Sequence, residues 1–256
     1  MAWTERQRRM LAEMGLAVWS PPAGEAMAEA HEASEASEAI ESRQDAAEVP
    51  APAVAAPPAI IGPVAHMDWP ALREAVAACR ACGLCETRRQ TVFGVGHEQA
   101  QLMVIGEAPG EQEDRQGEPF VGPAGQLLDS MLQAIGLSRQ PGPAEKQVFI
   151  ANTLKCRPPG NRNPAPEELA KCEPFLQRQL ALVQPRVILA MGRFAVQALL
   201  RSSEPIGRLR GRVHEYQGVP LVVTYHPAYL LRNLPDKARA WDDLCLAASL
   251  LEQPPR

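Results

Sequence analysis

Residues 101–110, Q-L-M-V-I-G-E-A-P-G, run from a short apolar stretch straight into an acidic turn built on glycine and proline. An apolar run of this length, without polar alternation, reads as a strand buried on both faces. Gly106 and Gly110 let backbone approach a ligand closely, and Pro109 stiffens the turn between them. Similar apolar runs recur at Val148–Ala151, Arg186–Met191 and Val219–Thr224. Between them lie stretches of helical character. Asp68-Trp69-Pro70 caps one helix through about Arg80, with proline in its first turn. Leu127, Leu128, Met131, Leu132 and Ile135 give helical spacing within 122–137. Further helices are expected at 167–183, from Gly192 to Leu200, and at 237–251. Strands alternating with helices predict an α/β fold with a parallel sheet covered on both faces. The strand-like R-V-H-E-Y-Q before Val219 offers a hairpin at one edge.

In such sheets ligands gather beyond the carboxyl ends of the strands. The polar motifs follow strands directly here: Gly106-Glu107-Ala108-Pro109-Gly110, Asn152-Thr153 and His226-Pro227. Glu107, Glu111, Glu113 and Asp114 crowd carboxylates into one turn; Glu107 and Glu113 are the candidates to orient a water, and Glu111 reads as solvated. Phe120 lies in G-E-P-F-V-G, where a ring can stack on a planar ligand or join the core. The Asn152 amide offers a donor and an acceptor in one plane, suited to a base edge, although asparagine after a strand is also a common turn former. A neutral His226 at a strand end can donate to a developing oxyanion. Beyond it, Leu230 and Leu231 are core residues or a wedge entering a duplex, with Arg232 on phosphate.

Charge divides the chain. Residues 1–66 carry ten Asp and Glu against four Arg, and the remainder twenty-two Lys and Arg against twenty Asp and Glu. Residues 1–20 read as a short helical leader and 21–66 as an acidic, then proline-rich, disordered linker. The folded domain is expected at 67–256. There is no run of eighteen apolar residues and no apolar segment after the N-terminus, so a membrane span and secretion are not expected. In a cytoplasmic protein six cysteines point to metal or cluster ligation rather than disulfides. Cys79 and Cys82 form C-x2-C, Cys85 extends it to C-x2-C-x2-C, and Cys156 and Cys172 lie far downstream. Four thiolates suit zinc as well as an iron–sulfur cluster.

Together, G-E-A-P-G-E-x-E-D-x-x-G-x-P-F-V-G-x-A-G, A-N-T-x-K-C-R-P-P and T-Y-H-P-A-Y-L-L-R-N resemble the family-four, iron–sulfur uracil-DNA glycosylases of bacteria and archaea. The resemblance spans about residues 75–252. It implies a three-layer α/β/α sandwich around a short, mainly parallel four-stranded sheet, and hydrolysis of uracil from single- or double-stranded DNA by a monomeric, nucleoid-associated enzyme. It also implies that Glu107, Ala108 and Glu113 form the uracil-site loop and Phe120 stacks on the base. Asn152 would read the base edge and His226 would face the carbonyl where charge accumulates. A structural [4Fe–4S] cluster would be held by Cys79, Cys82, Cys156 and Cys172, with Cys245 left in the core. Better-known uracil glycosylases carry G-Q-D-P-Y, whose Asp and Tyr match Ala108 and Gly110 here; Glu107 or Glu113 would then hold the water, and Glu113 would exclude the thymine methyl. Residues 153–164 contain no histidine, against the covalent capture used by a related group. R-Q-R-R-M-L-A-E-M-G-L-A-V-W-S-P weakly resembles the N-terminal peptide of the replicative polymerase psi subunit, implying a replication-protein partner for residues 1–20. The competing readings are a non-catalytic nucleic-acid-binding module and an iron–sulfur redox protein.

Overall fold

A computed structural model describes residues 62–254. The leader and nearly all of the linker lie outside the described residues. Six strands form one sheet: β1 (Val95–Gly96), β2 (Leu102–Gly106), β3 (Val148–Asn152), β4 (Val187–Met191), β5 (Val213–Tyr216) and β6 (Val219–Thr224). Their spatial order is β1-β3-β2-β4-β6-β5. The inner four are mutually parallel, while β1 and β5 pair antiparallel at the two edges. The sheet is therefore mixed and six-stranded rather than four-stranded. The four expected strands form its centre, and β5 is the hairpin arm foreseen before Val219. β1 carries no readable period because it is two residues long. Its Gly96 sits at φ 121°, and an added Cβ would lie 1.9 Å from the Val148 carbonyl oxygen, so only glycine permits this pairing.

The helices are α1 (Trp69–Ala78), α2 (Leu84–Thr87), α3 (Glu111–Gln116), α4 (Pro123–Ala134) and α5 (Pro166–Val183), then α6 (Arg193–Leu200), α7 (Ile206–Leu209), α8 (Pro227–Leu230) and α9 (Asp236–Glu252). Asp68 caps α1, its Oδ1 accepting from the Ala71 N–H at 3.0 Å. All five residues of each of β2, β3 and β4 are buried, as a sheet covered on both faces requires. Met103, Ile105, Phe149, Ile188 and Val223 face a core shared with Leu72 and Val76 of α1, Phe175 and Leu180 of α5 and Val196 of α6. On the alternate side α9 packs against β4 and β6. Each large apolar side chain so buried contributes about 1.5–3 kcal/mol. No helix among the described residues is long and apolar enough to cross a membrane.

The acidic turn after β2 proves to hold a helix. Glu113, third residue of α3, accepts from the Gly110 N–H at 3.0 Å through Oε2. Three acidic residues in the first turn complement the helix dipole, and Gly117 at φ 77° ends the helix. Six residues are too few to display an apolar period. The cap signature, a glycine followed three positions later by glutamate, was the available sign.

Candidate active site

Register brings the strand tips level. Gly106 pairs with Asn152, and Met191 pairs with Thr224. Glu107, Asn152, Gly192 and His226 consequently leave the sheet along one rim, and all four line a single pocket of about 840 Å³. Ala108, Glu113, Phe120 and Arg232 line it too.

Phe120 adopts φ 55°, in the left-handed region that disfavours bulky residues. Two features hold it there. A Cβ on Gly125 would lie 1.7 Å from the Phe120 carbonyl oxygen, so α4 approaches this loop as only glycine allows. The next residue, Val121, donates its N–H to Glu113 Oε1 at 3.0 Å. The ring is 6 % exposed and stacks against His226, with centroids 5.4 Å apart and planes at 27°. Asn152 is 2 % exposed, and its buried Oδ1 has no hydrogen-bond partner in the protein. A Cβ on Gly106 would come within 2.4 Å of that oxygen and 2.6 Å of the Phe120 ring. Glycine at the β2 tip thus leaves room for both side chains at once.

The two candidate carboxylates differ in kind. Both Glu113 oxygens are spent on backbone N–H groups, Gly110 and Val121, so this residue shapes the wall. Burial raises the Glu107 carboxyl from 4.5 to about 7, opposed by the charge of Arg193. Burial lowers His226 to about 4, with the charge of Glu113 raising it and that of Arg232 lowering it further. The imidazole is neutral at pH 7. Its Nδ1 accepts from the Ala228 N–H at 3.1 Å, which leaves the ring proton on Nε2. Glu111 is solvated, paired with Arg115 and, at 3.6 Å, with Arg157.

The leucines divide. Leu230 is 1 % exposed within α8, so its side chain belongs to the interior and it is withdrawn as a DNA contact. Leu231 is 42 % exposed beside Arg232, and Leu234, which the sequence reading passed over, is 58 % exposed. Other pocket residues were also missed: Arg162, Arg193 and Tyr225. Arg193 follows Gly192 directly after β4, so the rule that ligands gather at strand tips would have found it.

A second cavity is lined by Cys79, Cys82, Cys85, Cys156 and Cys172. Among the described residues no three His, Cys, Asp or Glu side chains converge as a site for one metal ion; the thiols surround a space instead. Burial raises Cys172 to about 12 and shifts Cys156 upward, so these thiols stay protonated until a metal takes the protons' place. Donors already face the sulfurs. Arg88 Nη1 donates to Cys156 Sγ at 3.0 Å, and the Lys155 N–H donates to Cys172 Sγ at 3.2 Å. Cys156 lies within electrostatic reach of Cys79 and Cys82, and Cys172 of Cys79 and Cys156. The donor set fits a polynuclear iron–sulfur group. Cys245 is half-buried on α9.

A sheet whose carboxyl rim gathers a carboxylate, an amide and a neutral imidazole around one pocket is the frame of a hydrolase acting on a planar ligand. A family model described as the uracil DNA glycosylase superfamily matches residues 93–245, and the chain belongs to that superfamily. It is 45 % identical over 164 residues to the type-4 uracil-DNA glycosylase of Archaeoglobus fulgidus, spanning 61 % of this chain and 79 % of the relative. To the type-4 uracil-DNA glycosylase of Thermotoga maritima it is 40 % identical over 168 residues, 65 % of this chain and 84 % of the relative. The type-5 uracil-DNA glycosylase of Thermus thermophilus is more distant, 32 % over 160 residues, 52 % of this chain and 73 % of the relative.

Proposed function

We propose that the protein is a DNA-repair glycosylase that hydrolyses the N-glycosidic bond of uracil in DNA. It releases free uracil and leaves an abasic site, the first step of base excision repair. The observation that carries this reading is the single rim pocket shared by Glu107, Asn152 and His226.

Uracil leaves the base stack at a cost of a few kcal/mol in a duplex, and less where it is unpaired or mispaired. Phe120 offers an apolar face to the base. The unpartnered Asn152 Oδ1 accepts the ring N–H of uracil, which cytosine lacks; leaving such a group unmet costs about 1–3 kcal/mol. Glu113 stiffens the wall that the thymine methyl would meet. As the bond breaks, its electron pair leaves with the base and negative charge grows on the uracil carbonyl. The Nε2–H of neutral His226 donates to that oxygen, an interaction whose loss typically costs about 10²–10³ in rate. Water held by the Glu107 carboxylate bonds to the sugar carbon, and Glu107 takes its proton. Arg193 and Arg232 at the pocket suit backbone phosphates, whereas Arg162 is held by Glu168 through two hydrogen bonds. Exposed Leu231 fills the gap the base leaves.

Cys79, Cys82, Cys156 and Cys172 would hold a structural [4Fe–4S] cluster, which would tie the turn after α1 to the segment after β3 and to α5. Hydrolysis needs no electron from it. The test incubates the full chain with single- and double-stranded oligonucleotides containing uracil, then treats them with alkali. Strand scission at uracil, and none at cytosine or thymine, is expected. Strands that remain intact would refute the assignment.

A further inference from the structure

Resting on that function, we propose that Lys155 is a positioning residue for base recognition, its buried ammonium fixing the strand tip that carries Asn152 and coupling it to the thiol cavity. Asn152 ends β3, and the last β3 residue paired with β1 toward that end is Ile150. Asn152 still pairs with Gly106 of β2, but on the β1 side it has no ladder partner, and its carbonyl accepts from a side chain. Lys155 Nζ is the donor, at 2.8 Å, and donates as well to Gln179 Oε1 at 2.6 Å, both bonds being buried. Gln179 in turn donates to the Phe93 carbonyl at 2.8 Å, which anchors the lysine's partner to the segment before β1.

The lysine backbone is tied at both ends. Its N–H donates to Cys172 Sγ at 3.2 Å, and its carbonyl accepts from the Val92 N–H at 2.8 Å. One residue thus touches a proposed cluster thiol through its main chain and the base-reading strand tip through its side chain. A merely space-filling residue here would be apolar, since burying an ammonium is costly unless each donor finds an acceptor. The bonds to Asn152 and Gln179 supply acceptors for two of its three N–H groups. Because Asn152 Oδ1 has no protein partner of its own, the backbone on which it rides sets where that oxygen points.

The test is a double-mutant cycle on single-turnover uracil excision, with iron content and visible absorbance measured on every variant. Lys155→Met should lose about 10²-fold in rate, the scale of a small misplacement of a positioned group. Its DNA affinity, iron content and absorbance should match the wild type. In an Asn152→Ala background the same substitution should cost less than about two-fold, because the group it positions is gone. Lys155→Arg, which keeps the donor, should recover part of the rate. Equal factors in both backgrounds, an unchanged Lys155→Met rate, or a rate that falls in step with iron would each overturn the proposal. If Lys155→Met does not fold, Gln179→Met, which removes the lysine's other acceptor, carries the same cycle with the same criteria. Wild-type excision in the same assay tests the glycosylase assignment separately, so failure of the one is not mistaken for failure of the other.

Discussion

Glu107 should set the acid side of the pH–rate profile. Its carboxyl titrates at about 7, chiefly because it is buried, and the charge of Arg193 keeps it from rising further. A carboxylate that must be ionised to hold and deprotonate water is then about one-tenth active at pH 6 and about nine-tenths active at pH 8. The rate of excision should rise roughly tenfold over that interval. His226 contributes no limb there, since it is already neutral above about 4. The assay is single-turnover release of uracil from a single-stranded oligonucleotide under saturating enzyme between pH 5 and 9, which separates chemistry from DNA binding. Glu107→Gln should lower the plateau by about 10²–10⁴ and abolish the limb. Arg193→Met removes the one charge that opposes burial and should move the limb to higher pH. A wild-type profile flat from pH 6 to 8, or a limb of full amplitude surviving in Glu107→Gln, would refute the assignment of Glu107 as base.

Gly106→Ala forces a Cβ to within 2.4 Å of Asn152 Oδ1 and 2.6 Å of the Phe120 ring, and should cost about 10²-fold in excision while iron content holds. Cys156→Ser should lose iron and absorbance whereas Cys85→Ser keeps both; iron loss from Cys85→Ser would place that residue among the ligands. Leu231→Ala should slow excision from duplex DNA more than from single strands, and equal slowing of both would remove the wedge. His226 also makes stability depend on pH. Its folded value of about 4 lies below the ordinary histidine value of 6.5, so the unfolded chain gains the proton first as pH falls. Stability is full above 6.5 and is lost toward 4, by about 2–3 kcal/mol at pH 4.5. In urea titrations His226→Gln should show that much less acid sensitivity than the wild type between pH 7 and 4.5.

The central strands were legible because each is a short apolar run buried on both faces, a pattern that needs no knowledge of its neighbours. β1 was not, since two residues have no period and its pairing depends on a close approach that Gly96 alone permits. Glu107, Asn152 and His226 could be found in the sequence because each sits at or just past a strand tip, and parallel register carries such tips to one rim. Glu113 shows the limit of that rule. It stands in the same turn, but its two oxygens cap α3 and hold the Phe120 loop, a duty visible only when the backbone N–H groups are placed. Leu230 and Leu231, adjacent and chemically identical, differ in exposure from 1 % to 42 % because a single helical step turns one inward. Lys155 was hidden for a related reason. A lysine beside a cysteine reads as solvated charge, and nothing in the sequence says that its acceptors are a strand-end carbonyl and a glutamine twenty-four positions on.

Burial acts on the two titratable groups of the pocket in opposite senses, and the consequences are unequal. For His226 dryness is an advantage: it removes the positive charge, and the Ala228 N–H, by donating to Nδ1, then selects the tautomer whose remaining proton is on Nε2. For Glu107 the same dryness withdraws half of the working carboxylate at neutral pH. A base entering the pocket displaces water, dries it further and pushes Glu107 higher still, toward an inactive acid. The groups that oppose this are cationic: Arg193 now, and the positive character that develops on the sugar as the bond breaks. The carboxylate therefore gains most when the sugar is most positive, so its interaction is stronger in the transition state than with bound substrate. In the proposed mechanism that difference, rather than tighter holding of uracil, accelerates the reaction.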